Sequence, residues 1–327
     1  MNGLGIKRHQ HHYIDYDKIS RRIRACDYMS VAQLFLHDNF LLDRPLTKDD
    51  IKPRLLGHWG TCHGINVIYA NLRAIYHKGE KFSIVIGPGH GFPALQANLF
   101  LDGDLAKVDK KALRNPKGLE YICKHFSWPG GFPSHASPMT PNVICEGGEL
   151  GYALAAAYGK ALGHPEKTIA VIIGDGELET ATAIDSLNLV KLVGNGKNGT
   201  VLPILQLNGY KISGPTIYGR KSERELSELI RGFGFTPVHI RDDRPETFQS
   251  TFKSGLRHKH PFFILHTRKG ATGPTKLGEN RIADNYLAHQ IPLPNAKTDD
   301  AELKCLENWL KSYKFDELFD LRKGFTL

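Results

Sequence analysis

Asp175 and Asn208 each stand where a short apolar run gives way to glycine, and both carry oxygens of the kind that hold a hard divalent cation. The first run, Thr168 to Ile173, ends in Gly174-Asp175-Gly176-Glu177; the second, Val201 to Leu207, ends in Asn208-Gly209-Tyr210. Mg²⁺ takes near-octahedral oxygen ligation and completes its shell with waters and phosphate oxygens. A carboxylate from Asp175, an amide oxygen from Asn208 and a backbone carbonyl at Tyr210 would serve it beside a diphosphate. The glycines let the backbone approach the phosphates.

Four histidines add proton-transfer chemistry. His58, His90 and His135 sit in loops punctuated by glycine or proline, and His289 lies in an irregular stretch. Imidazole titrates near neutrality and so suits proton traffic at hydroxyl oxygens. The alternative is that they are packing donors to loop carbonyls. Lys269 follows an apolar run directly, a place for a phosphate or cofactor contact or for a solvated charge. Gly148 and Gly151 flank Glu149 and Leu150 at an expected helix start, where small residues can admit a flat heterocycle or an anion, or simply make a tight turn. Cys62 and His63 are adjacent and so seldom face one another, which argues against a nucleophile pair. His9, His11 and His12 form a tail cluster able to bind metal adventitiously.

Elements that could position these groups follow from periodicity. Short apolar runs bounded by glycine read as buried parallel strands. To the two runs above we add Phe82 to Ile86, Pro261 to His266 and, weakened by Pro237, Phe235 to Ile240. Helical spacing covers Gly64 to His77, Gly151 to Leu162, Thr182 to Val193, Ser222 to Arg231, Pro245 to Arg257 and Ala301 to Lys311. Alternation of the two predicts an α/β fold, a parallel β-sheet with helices on both faces, whose loops at the carboxyl ends of the strands share one crevice. The expected division is a tail over 1–20, one large domain over 21–295 and a helical segment or linker start over 296–327.

Composition narrows the classes. The net charge is +9, yet Lys and Arg are interleaved with acids and no basic block appears, so nucleic acid is not the expected partner. No stretch is long and apolar enough to span a bilayer, and the polar, His-rich N-terminus is unlike a signal peptide. Five cysteines without CxxC spacing fit a reduced cytoplasmic protein.

The motifs Gly57-His58-Trp59-Gly60-Thr61, Gly87-Pro88-Gly89-His90-Gly91, Pro133-Ser134-His135, Glu146-Gly147-Gly148-Glu149-Leu150-Gly151, Gly174-Asp175-Gly176, Leu207-Asn208-Gly209-Tyr210-Lys211-Ile212 and Ala288-His289-Gln290 resemble, in that order, the N-terminal domain of phosphoketolase, a relative of transketolase. The resemblance implies a thiamine-diphosphate-binding domain with Mg²⁺ at Asp175, Asn208 and Tyr210. It implies cofactor contacts from His90, Gly148, Glu149, Leu150, Gly174, Gly176, Glu177, Lys269 and His289. His90 and His289 would lie near the diphosphate and reactive ring, His58 and His135 over the substrate hydroxyls. The implied reaction cleaves a ketose phosphate with inorganic phosphate to acetyl phosphate and an aldose phosphate. Transketolase-like two-carbon transfer and a non-catalytic cofactor-binding remnant are the alternatives. A glutamate from a pyrimidine-binding domain activates the cofactor in this family, so a homo- or hetero-oligomeric partner chain or a further domain is expected to supply it. Apolar surface awaiting that partner is expected at Trp59, Phe92, Trp128 and Phe132, with simple loop packing as the alternative.

Overall fold

The computed structural model describes residues 14–76, 81–193, 197–320 and 324–326. The tail histidines His9, His11 and His12, and His77 at the end of one expected helix, lie outside the described residues. Five strands, β1 (Phe82–Ile86), β2 (Thr168–Gly174), β3 (Thr200–Leu207), β4 (Thr236–Ile240) and β5 (Pro261–His266), form one sheet in the order β1-β2-β3-β5-β4. Every pairing is parallel. Burial on both faces explains why β2 reads as an unbroken apolar run: Ile169, Val171 and Ile173 pack on one side, Ala170 and Ile172 on the other. β4 is an edge strand, where Pro237 removes no needed ladder bond.

Ten helices flank the sheet among the described residues: α1 (Tyr16–Phe35), α2 (Cys62–Ile75), α3 (Phe92–Asp102), α4 (Leu105–Val108), α5 (Pro116–His125), α6 (Ala153–Leu162), α7 (Ala181–Ser186), α8 (Glu223–Gly232), α9 (Pro245–Gly255) and α10 (Asp300–Ser312). One face of the sheet packs under α1, α2, α3, α9 and α10, and the other under α6, α7 and α8. The α/β architecture with helices on both faces is therefore present.

Differences from the sequence reading have local causes. α1 crosses the expected boundary at residue 20: Asp15 caps it by accepting from the Lys18 N–H at 2.9 Å, and Ile19 and Ile23 bury its inner face. The expected helix over 182–193 is only α7 followed by a 3₁₀ segment, Leu187–Lys191. Ser186 Oγ donates back to the Thr182 carbonyl at 2.5 Å, a bond that bends helices. Residues after 296 join the core, where Trp309 meets Trp59 edge-on at 5.0 Å and Phe35 at 6.0 Å.

Trp309→Ala removes the ring on which Trp59 rests, and a buried Trp truncation costs about 3–5 kcal/mol. The urea midpoint should fall accordingly; an unchanged midpoint would show that the last helix contributes nothing to the core.

Candidate functional site

The carboxyl ends of β1, β2, β3 and β5 carry four loops into one crevice. At the end of β2, Asp175 is 2 % exposed. Its Oδ1 accepts the Gly176 N–H at 3.0 Å, and its Oδ2 accepts the N–H groups of Asn208 (3.2 Å) and Gly209 (2.7 Å) and the Thr216 hydroxyl (3.0 Å). Burial pushes the carboxyl pKa up, opposed first by Lys269 and then by these donors. The Asn208 amide oxygen faces back to the Tyr210 N–H at 3.1 Å.

Lys269, just past β5, is as buried as Asp175, and its ammonium donates to the Tyr210 carbonyl at 3.1 Å. Desolvation lowers its pKa to about 8, with Asp175 opposing. This cation already engages one of the three expected metal ligands. Glu177 is pushed up to about 7 by burial, although it accepts the Gly174 N–H at 3.1 Å and the Gly151 N–H at 3.2 Å.

The four histidines converge. His58 lies 5.0 Å from His90, 5.4 Å from His135 and 5.2 Å from His289, ring centre to ring centre, and His90 lies 5.0 Å from His289. Backbone bonds fix the loops. The Trp59 N–H donates to the Gln290 carbonyl, the Gly60 N–H to His289, and the Gly270 N–H to Gly60, so three loops are laced together. Opposite them the Ala136 N–H donates to the Gly89 carbonyl and the Gly147 N–H to Ala136. Gly89 and Gly147 approach so closely that a Cβ on Gly89 would sit 2.3 Å from Gly147. Thr61 and Gln206 anchor this layer to the sheet: the Thr61 hydroxyl donates to Gln206 Oε1 at 2.9 Å, and Gln206 Nε2 donates to the Thr61 carbonyl at 3.1 Å.

Crowded imidazoles with little water resist protonation. Burial, then His135 and Lys269, lower His58 to about 4; burial, then Lys269 and His58, lower His289 to about 3. His90 is driven down by burial and then by Lys269, and His135 more mildly by burial. The Nδ1 atoms of His58 and His289 are buried with no hydrogen-bond partner. His135 Nδ1 pairs with Ser134 Oγ at 2.9 Å.

Other expected residues are placed differently. Gly148, Glu149 and Leu150 are exposed on a turn before α6, which starts only at Ala153 because Gly151 takes φ +100°. Their segment is tied to the site through the Gly151 N–H on Glu177. Cys62 and His63 diverge: the Cys62 thiol donates to the His58 carbonyl at 3.0 Å, whereas His63 sits between Asp27 (2.7 Å) and Asp243 (3.0 Å). The expected exposed aromatics need correction. Trp59 and Phe92 are each 1 % exposed, because they pack beneath the loops, on Trp309 and Phe126 respectively, and hold them up. Phe132 is half-buried against Tyr121, and Trp128 is exposed. Besides Trp128, the exposed apolar side chains of the loops after β1, β3 and β5 include Met139, Ile144, Leu150, Tyr152, Ile212, Ile217, Tyr286 and Leu287. Thr216 and Gln206, which position Asp175 and the His58 loop, were missed. Both act by tertiary bonds, and the polar residue inside an apolar strand was the one signal for Gln206.

The XFP N-terminal domain model matches residues 11–255 and 249–326. The probable phosphoketolase of Bradyrhizobium diazoefficiens is 41 % identical over 329 residues, covering 94 % of this chain and 41 % of its own length. Probable phosphoketolase 2 of Nostoc sp. is 41 % identical over 325 residues, covering 93 % of this chain and 41 % of itself. The chain thus spans about two-fifths of the curated relatives it matches. Among solved structures, transketolase from Leishmania mexicana has a TM-score of 0.61 at 17 % identity, covering 94 % of this chain and 46 % of that one. Transketolase from Campylobacter jejuni gives 0.62 at 18 %, covering 92 % and 47 %. These likenesses define the fold as transketolase-like. The chain belongs to the phosphoketolase family, whose N-terminal domain it matches across nearly all of its length.

Proposed function

We propose that this chain is the diphosphate-binding part of a phosphoketolase, which cleaves a ketose phosphate with inorganic phosphate to give acetyl phosphate and an aldose phosphate. The observation that carries the reading is the convergence of four neutral imidazoles on a crevice floored by buried Asp175 and Lys269.

The residues fit thiamine diphosphate with Mg²⁺. Asp175, the Asn208 amide oxygen and the Tyr210 carbonyl are an oxygen donor set suited to a hard cation. Lys269 already holds positive charge against that carbonyl, and the unpartnered Nδ1 atoms of His58 and His289 leave hydrogen-bonding capacity for a ligand. In this reading Gly174, Gly176 and Glu177 wall the diphosphate with Lys269. The exposed Gly148, Glu149 and Leu150 would border the cofactor's other half. When bound, thiamine diphosphate supplies a carbon nucleophile and electron sink for breaking the bond beside the ketose carbonyl. In this reading His90 and His289 would face the cofactor, and His58 and His135 the sugar hydroxyls. With depressed pKa values, His58 and His289 are unprotonated at neutral pH and can accept a proton from a hydroxyl. Lys269 stays mainly protonated there and keeps countercharge on the phosphates.

The exposed Met139, Ile212, Ile217, Tyr286 and Leu287 rim would be covered by a pyrimidine-binding domain, or a partner chain carrying one. No helix among the described residues is long and apolar enough to cross a membrane, and the five cysteines are all free; we place the protein in the cytoplasm. The test is co-purification from the native source, followed by assay of acetyl phosphate from xylulose 5-phosphate or fructose 6-phosphate with phosphate. Two-carbon transfer to an aldose, with no acetyl phosphate, would favour transketolase chemistry instead.

Asp175→Ala should weaken Mg²⁺-dependent retention of thiamine diphosphate by at least roughly 10–100-fold. Calorimetry showing unchanged affinity would defeat the metal assignment.

A pH dependence follows from the rings. His58 and His289 have folded pKa values below the ordinary 6.5, so their contribution is present above 6.5 and lost as pH falls through about 4 and about 3. The denaturant midpoint should drop across that window, and His58→Gln should remove about 2 kcal/mol of the drop. An identical pH profile in the variant would mean that His58 is not held neutral by folding.

A further inference from the structure

A second cluster of ligating side chains lies away from the histidine crevice, at the sheet edge under α8. His239 of β4 is the register partner of Ile264 on β5, so His266 follows two residues later on the same face as Ile264. That face is the one packed by α8, and Ile264 belongs to the same apolar cluster as Leu226 and Ile230. From α8, Glu223 and Ser227 stand one turn apart over the two imidazoles. His239 Nδ1 and His266 Nε2 are 2.9 Å apart, His266 Nε2 is 3.9 Å from Glu223 Oε1, and the three ligand atoms lie within 4.8 Å of one another.

We propose that Glu223, His239 and His266 form a binding site for a divalent transition-metal ion of the zinc, nickel or copper class. Imidazole nitrogens with one carboxylate suit these ions and not Mg²⁺. With metal–nitrogen bonds of roughly 2.0–2.1 Å, two nitrogens 2.9 Å apart subtend roughly 90° at the ion, the angle of adjacent octahedral or square ligands. His239 has the outer bond a ligating imidazole needs: its Nε2 is 2.8 Å from the largely buried Ser227 hydroxyl, which fixes the ring with Nδ1 aimed at the site. Without the ion, one hydrogen sits between the two ring nitrogens. On binding, the ion takes its place, and the hydrogen moves to the other nitrogen of the same ring. Glu223 meanwhile pairs with Arg241, at 2.8 Å for Nη2 to Oε2 and 3.3 Å for Nε to Oε1. Both side chains are largely exposed, so the pair is weak and the guanidinium can swing away. Remaining positions on the ion would go to water. The site would clamp α8 to β4 and β5, the edge of the sheet.

The test titrates the full chain, with His9, His11 and His12 replaced by Ser, with Co²⁺ and Zn²⁺ against a chromophoric chelator. One equivalent of Co²⁺ with visible ligand-field bands is expected, together with a rise in melting temperature on adding Zn²⁺. Glu223→Gln, at an exposed position that does not threaten folding, should weaken binding at least tenfold; His239→Gln and His266→Gln should abolish both the bands and the melting rise. Binding that survives Glu223→Gln and His266→Gln within twofold, binding lost instead in His58→Gln, or no equivalent bound by the parent chain would each overturn the proposal.

Discussion

A carboxylate and an ammonium buried together at the ends of three strands constrain everything built above them. Asp175 and Lys269 each lose nearly all contact with water, and an isolated buried charge is too costly to keep. The fold answers with four donors on Asp175, from the turns after β2 and β3, and with the Tyr210 carbonyl, after β3, for Lys269 from the turn after β5. Those polar bonds tie the three turns to one another. Removing either charge would leave the other buried with only its neutral partners, which lowers stability. The same bonds hold the Tyr210 carbonyl, through Lys269, and the Asn208 backbone, through Asp175, so the order of the strand ends and of the residues proposed for the cation share one cause.

The histidine layer depends on that floor electrically. Lys269 disfavours protonation of His58, His90 and His289, adding to the desolvation that each ring suffers. Packed about 5 Å apart, four imidazoles can coexist only if few are charged. The lacing of the 58–60, 270 and 289–290 loops sets His58 and His289 from the backbone, and the bonds among Gly89, Ala136 and Gly147 set the loops of His90 and His135, while the unpartnered Nδ1 atoms of His58 and His289 are left for something else. Trp59 explains why the lacing holds: it is the buried strut between the His58 loop and α10. An aromatic in a glycine-rich loop reads from the sequence as a docking surface or as packing. Burial decides for packing, and the sticky rim moves to Met139, Ile212 and Tyr286.

The strands were legible because burial on both faces makes their composition nearly uniform, and glycine marks their ends. β1 and β5 match the expected runs residue for residue, and β2 and β3 each extend by one residue. α1 and α3 were not legible, since polar residues bury between them. Asp27 accepts from Asn66 at 2.7 Å, Asn98 donates to the Asn66 oxygen at 2.8 Å, and Arg22 reaches Asp102 at 2.9 Å. Each partner is dozens of residues away, and until it is known a buried Asn looks like a solvated one. The candidate site residues stood out for the opposite reason: His, Asp and Asn beside glycine at strand ends violate the local pattern, and the structure gathers the four histidines at those ends.

The two clusters of the sheet differ in chemistry because they differ in place. At the centre, Asp175 and Lys269 are nearly fully buried, so their charge must be balanced internally. On this face of the β4 edge the covering is α8, so Glu223 reaches solvent while His239 and His266 are partly shielded. Burial lowers both of those pKa values, with Glu223 opposing, so the rings stay free to ligate at neutral pH. Hard oxygen donors in the middle and borderline nitrogen donors at the rim would sort two classes of cation along one sheet, and the sorting follows from ligand type and desolvation alone.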